Sequence, residues 1–181
     1  MAGTDPSDSN PAPGMGAPGK ILVSACLLGA NVRYNAIPCG AVAPILAQWL
    51  GEGRVVPVCP EVAGGLPTPR PAAEISGGDG RRVWLGQARV MTTAGDDVSR
   101  AFQAGAQAAL ALVRSHGIRI AVLKARSPSC GNAQIYDGSF SATRIDGMGV
   151  TAALLAEHGV AVFNEDELEQ ADALLRRLER G

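Results

Sequence analysis

Four cysteines, at positions 26, 39, 59 and 130, are the residues of this 181-residue chain best suited to chemistry. They are widely and irregularly spaced and include no C-x-x-C pair, so they do not read as a zinc finger or as the framework of a disulfide-stapled domain. A free thiol titrates near ~8.5, so holding one as a thiolate at pH 7 costs about 2 kcal/mol, and three cost about 6 kcal/mol before they repel one another. A base, a cation or a metal must offset that. Only two histidines are present, His116 and His158, and each stands before a glycine at the end of a predicted helix, on the amino side of the next strand. A Cys–His nucleophile is therefore poorly supported. A metal centre offsets the ionisation directly, and thiolates select zinc, copper(I) or iron–sulfur clusters. Three protein ligands, unlike four, leave a position open to substrate. Cys39, thirteen residues past Cys26 and beside Gly40, reads as incidental, with a fourth-ligand role as the alternative.

The elements around these cysteines explain why three of them should meet. Lys20 to Ala25 is a short apolar run that ends at Cys26, and Val55 to Val58, interrupted by Pro57, ends at Cys59. Ile118 to Lys124 is a third buried strand, and Cys130 lies in the loop that leaves it. Val160 to Phe163 is a fourth, followed by Asn164 and Glu165. Helices are predicted over Ala41 to Leu50, from Asp96 or Asp97 to Gly117 with Val98, Phe102, Ala106, Ala109 and Val113 inward, over Val150 to His158, and from Asn164 to the end. Asn164 with Glu167 resembles a capping box, and Leu168, Ala171, Leu175 and Leu178 form the last helix's inward stripe. Arg82 to Leu85 and Ala88 to Thr93, around Gly86-Gln87, predict a β-hairpin. Gly/Pro-rich loops are expected over Pro60 to Pro71 and Ala125 to Gly149. Apolar strands alternating with helices indicate the α/β class: a mostly parallel sheet between helical layers, a Rossmann-like three-layer sandwich, with an inserted hairpin. Ligands of such sheets bind at the carboxyl ends of the strands, which is where Cys26, Cys59 and Cys130 fall.

Composition bounds the function. Lys and Arg number 16 against 17 Asp and Glu, a net charge of −1, which argues against a broad grip on nucleic acid. No run approaches the ~18 apolar residues of a membrane span. Residues 1–19 are rich in Pro and Gly and carry neither the basic start nor the apolar stretch of a secretory signal; they predict a disordered tail before one α/β domain over 20–181. A reduced, cytoplasmic setting follows by default from the cysteine usage.

The segments SACLLG (Ser24 to Gly29), VRY (Val32 to Tyr34), VCPEVAGGLPTPRPAAEI (Val58 to Ile75), LKARSPSCG (Leu123 to Gly131), IYDGSF (Ile135 to Phe140) and GMGVTAALL (Gly147 to Leu155) together resemble the TudS-like thiouracil desulfurase family. The resemblance implies a [4Fe–4S] cluster held by Cys26, Cys59 and Cys130, with one iron not ligated by protein. It implies catalytic roles for Glu61 and Ser127, and a non-redox removal of sulfur from a thiolated pyrimidine to give the oxo base and sulfide. Glu61 is then the candidate general base and Ser127 a proton relay or anion binder, with Ser129 a second hydroxyl in the same loop. Arg70 and Arg33 are candidates to hold a ring carbonyl or phosphate, since a guanidinium offers a planar donor fork. The chain departs from the family's usual Arg-Tyr-Asp-Gly at Arg33-Tyr34-Asn35-Ala36, where loss of a carboxylate could alter substrate choice. Two other readings use the same cysteines: a zinc hydrolase, and a non-catalytic cluster or sulfur carrier in thiolation.

Overall fold

The computed structural model describes residues 17–181. Four strands, β1 (Ile21–Ser24), β2 (Val55–Val58), β5 (Ile120–Val122) and β8 (Ala161–Phe163), form a parallel sheet in the order β2-β1-β5-β8. The helices are α1 (Pro44–Gly51), α2 (Pro60–Ala63), α3 (Gly80–Trp84), α4 (Ser99–His116), α5 (Val150–Glu157) and α6 (Leu168–Arg180). Ile21, Val23, Ile120 and Val122 turn one way, into a cluster with Trp49 of α1 and Leu168, Ala171 and Leu175 of α6. Leu22, Ala121 and Leu123 turn the other way, against Phe102, Ala106 and Ala109 of α4 and Leu155 of α5. The two-residue period of the strands thus builds two cores from one set of apolar runs. Each fully buried aliphatic side chain contributes roughly 1.5–3 kcal/mol. Pro57 is tolerated because β2 is an edge strand.

The four predicted strands of the parallel sheet and the inward faces of α4 and α6 are recovered, apart from Val98, which precedes α4, and Leu178, both only partly buried. The capping-box contact forms, with the Asn164 N–H donating to Glu167 Oε2 at 2.9 Å, but α6 itself begins at Leu168. The first helix starts at Pro44, three residues later than expected. The tail expected over 1–19 lies almost wholly outside the described residues; Gly19, at its end, donates its N–H to Glu179.

The antiparallel parts differ from expectation. Arg82 to Leu85 is not a hairpin strand: Gly80–Trp84 is α3, started by Asp79, whose side chain accepts from the Arg82 N–H. The partner of β4 (Arg89–Thr92) is β3 (Ala73–Ser76), at the end of the Pro-rich stretch. A second small sheet, β6 (Gln134–Tyr136) with β7 (Arg144–Asp146), lies within the stretch expected to be loop. Its strands have three residues each, too short for alternation to register, and the turn between them passes through positive φ at Gly138, Phe140 and Ala142.

One close approach fixes the front of the molecule. A Cβ on Gly105 of α4 would meet the Pro60 carbonyl oxygen at 1.8 Å, and one on Gly64 would meet the Ala101 carbonyl oxygen at 2.0 Å. The two glycines let α2 lie directly on the backbone of α4, and α2 carries the chain away from Cys59. Gly105→Ala should therefore destabilise the protein by about 1–3 kcal/mol through overpacking, although alanine is the better helix former. Thermal or urea denaturation checks this; a variant as stable as the parent would contradict the contact.

Candidate functional site

β1 lies between β2 and β5, so the chain departs from it in opposite directions, and the crevice at the carboxyl ends of these strands is a topological switch point. A cavity of about 460 Å³ opens there. Cys26, Cys59 and Cys130 all line it, together with Glu61, Ser127, Arg33 and Arg70.

Each cysteine is held by a short structured segment. Cys26 sits in a single 3-10 turn (Ala25–Leu28) that follows β1. Cys59 precedes the first residue of α2, and its thiol lies 3.7 Å from the Val32 carbonyl oxygen, to which it donates. Cys130 sits in a loop tightened by Ser127, whose Oγ accepts from the N–H groups of Ser129 and Cys130, both at 3.1 Å. Ser24, buried at the end of β1, joins the parts: its hydroxyl lies 3.7 Å from Cys130 Sγ and accepts from the Lys124 N–H at 3.0 Å. Asn132 ties the same loop to β8 by donating to the Val162 carbonyl at 3.2 Å and to Glu167 at 2.8 Å.

Burial pushes the Cys130 thiol up to about 12, raised further by the nearby Glu61 and Cys59 and only partly opposed by the Ser24 hydroxyl. Burial likewise raises Cys26, with neighbouring Cys39, Cys130 and Cys59 adding to it. Burial raises Cys59 too, against the N–H groups of α2's first turn and the Arg70 guanidinium. The apo thiols are thus protonated at neutral pH, and a bound metal centre must expel their protons. The donor set is soft, all sulfur, and stands beside open space, which suits an iron–sulfur cluster. Among the described residues there is no group of three or more His, Cys, Asp or Glu side chains that could hold a single metal ion.

Glu61 and Arg70 form a built pair. Arg70 Nε donates to Glu61 Oε2 at 2.8 Å, and one Arg70 Nη stands 2.6 Å from the same oxygen. The remaining donors go to the Val32 carbonyl (2.9 Å), the Pro67 carbonyl (3.0 Å) and Thr68 Oγ1 (3.1 Å). With Nε and both Nη atoms engaged by protein groups, Arg70 braces Glu61 and the Val32 loop rather than standing free for a substrate. Arg33 lines the cavity with no ion-pair partner among the described residues. Ser129 is the clear misplacement: it is fully buried, its Oγ lies 2.8 Å from Thr151 Oγ1, and it does not line the cavity. Its hydroxyl secures the loop to α5. Cys39 packs beside Cys26 but lines a neighbouring hollow with Leu27 and Leu46. Lys124 pairs with Glu165; burial opposes ionisation of Glu165, but Lys124 and the Ala125 N–H outweigh it and lower its pKa. His116 and His158 are helix-end residues away from this edge, as expected.

Three wall residues were missed from sequence: Glu74, Arg126 and Tyr136. All three sit inside the quoted motifs, which was the available signal.

Asn35 does not line the cavity; its Oδ1 accepts from the Ile37 N–H at 3.1 Å. Ala36 has φ of 56°, in the left-handed region that favours glycine. Ala36→Gly should stabilise the protein by about 1 kcal/mol by relieving that conformation. Denaturant midpoints check it, and a loss of stability would contradict the strained loop.

The sequence model of the 2-thiouracil desulfurase family matches residues 21–167. An uncharacterized protein, YbbK of Bacillus subtilis (strain 168), is 43% identical over 148 residues, covering 82% of this chain and 97% of the relative. The solved structure of a [4Fe-4S]-dependent thiouracil desulfidase, TudS, superposes with a TM-score of 0.79 at 47% identity, covering 87% of this chain and 98% of that one. The chain is thus a member of the 2-thiouracil desulfurase family.

Proposed function

We propose that this protein removes sulfur from a thiolated pyrimidine, as base, nucleoside or nucleotide, using a [4Fe–4S] cluster held by Cys26, Cys59 and Cys130. The supporting observation is that three thiols from three separate segments, two of them buried and that of Cys59 partly so, line one cavity together with Glu61 and Ser127. When bound, the cluster supplies one iron without a protein ligand, a thiophilic Lewis acid toward the C=S sulfur.

The chain's own residues do the proton work. Glu61 Oε2 is fixed by Arg70, while Oε1 has no partner among the described residues. Glu61 acts as general base on the water that attacks the ring carbon. The Ser127 oxygen accepts two backbone N–H bonds, leaving its own proton free to donate to the developing anion. Arg33 is the candidate donor to a ring carbonyl or phosphate. The attacking water supplies the new carbonyl oxygen, its two protons leave with the sulfur as hydrogen sulfide, and no electrons are gained or lost.

Anaerobic reconstitution followed by sulfide-release assays on 2- and 4-thiouracil compounds tests this. Sulfide release is expected from the loaded protein, whereas a sulfur or cluster carrier would bind the cluster and release none. Glu61→Gln should keep its iron content and lose at least about 100-fold in turnover. Unchanged turnover would remove Glu61 from the mechanism.

A further inference from the structure

Glu74 is the one charged residue of β3, and it is buried, with 9% of its surface exposed. Its Oε2 accepts from two backbone N–H groups of the β6–β7 turn, Gly138 at 2.9 Å and Phe140 at 3.0 Å. That turn passes so near β3 that a Cβ on Gly138 would meet the Ile75 carbonyl oxygen at 2.7 Å. Ala142 of the same turn lines the cavity beside Glu74, so the carboxylate ties down part of the cavity wall.

The other oxygen, Oε1, has no hydrogen-bond partner among the described residues. No buried side-chain nitrogen or oxygen among those residues lacks a partner, so Oε1 is open to solvent, and the cavity is the opening that Glu74 lines. No cation of the described residues pairs with it. Glu61 and Glu74 are the two acidic residues of the wall, and Glu61 is committed to Arg70.

Resting on the desulfurase reading, we propose that Glu74 is a specificity residue whose Oε1 accepts a hydrogen bond from the substrate's ring N3–H. That N–H flanks the thiocarbonyl in 2-thio and 4-thio uracil rings alike and is present in base, nucleoside and nucleotide. Buried without an acceptor it would be penalised, and a charged acceptor strengthens the bond. Uracil-type rings, which donate at N3, are thereby selected over cytosine-type rings, which present a lone pair there and would face a carboxylate.

The test is equilibrium binding of uracil, cytosine and 3-methyluracil to the cluster-loaded protein, alongside Glu74→Gln. Uracil should bind roughly ten- to a hundredfold more tightly than either competitor. In Glu74→Gln the turn's N–H groups hold the amide oxygen, so the NH2 faces the cavity and the preference should disappear, with the loss appearing in KM rather than kcat. Equal affinities in the unaltered protein would overturn the proposal without recourse to any variant. So would a preference that survives in a folded Glu74→Gln, since the methyl group would then be excluded by bulk alone. If uracil is preferred as described but no sulfide is released from thiouracil, the desulfurase reading fails and the ring-reading role stands.

Discussion

Three sulfurs must be kept ready in a place where sulfur cannot easily be charged. Burial raises the pKa of Cys26, Cys59 and Cys130, so the site without its proposed cluster is a set of neutral thiols that a cationic centre would deprotonate on binding. Neutral thiols cost little to gather; three thiolates without a metal would repel one another at close quarters. The fold can therefore assemble the site first and accept its charge afterwards. This is the constraint from which the other features follow: the switch-point crevice, the short rigid segments after each strand, and the hydrogen bonds at 24, 127 and 132 that hold them.

The same economy appears around the acid. The general base proposed for this site must be both exposed to water and fixed in place. Arg70 meets the second need by placing two donors on one oxygen of Glu61 and three more on the surrounding loop, leaving the other oxygen unencumbered. Glu74 repeats the device with backbone donors in place of a guanidinium. In each case one carboxylate oxygen is held by the protein and the other has no partner among the described residues. A positioned oxygen needs no reorganisation when the substrate arrives.

Much of this could be read from residue order. Parallel strands buried on both faces announce themselves as apolar runs, so the sheet, the edge bearing the cysteines and the inward faces of α4 and α6 were all visible. What escaped detection depended on partners distant in sequence. β3 and β4 pair across α3, and nothing local in Ala73 to Ser76 marks it as the partner of Arg89–Thr92. The three-residue strands of β6 and β7 are too brief for a period to emerge. Ser129 and Ser127 are two residues apart and alike in type; only the loop's geometry turns one toward the cavity and the other toward Thr151. Arg70 reads as a substrate holder because its four acceptors, spread from Val32 to Thr68, are unrecognisable until the chain folds.

The central claim is that these three sulfurs, and not the fourth, grip one inorganic centre. Iron and acid-labile sulfide should be counted after anaerobic reconstitution of the unaltered protein and of the four single Cys→Ala variants. The account predicts about four irons and four sulfides per chain in the parent and in Cys39→Ala, with marked loss at positions 26, 59 and 130. Full cluster content without any one of Cys26, Cys59 or Cys130, or its loss without Cys39, would contradict it.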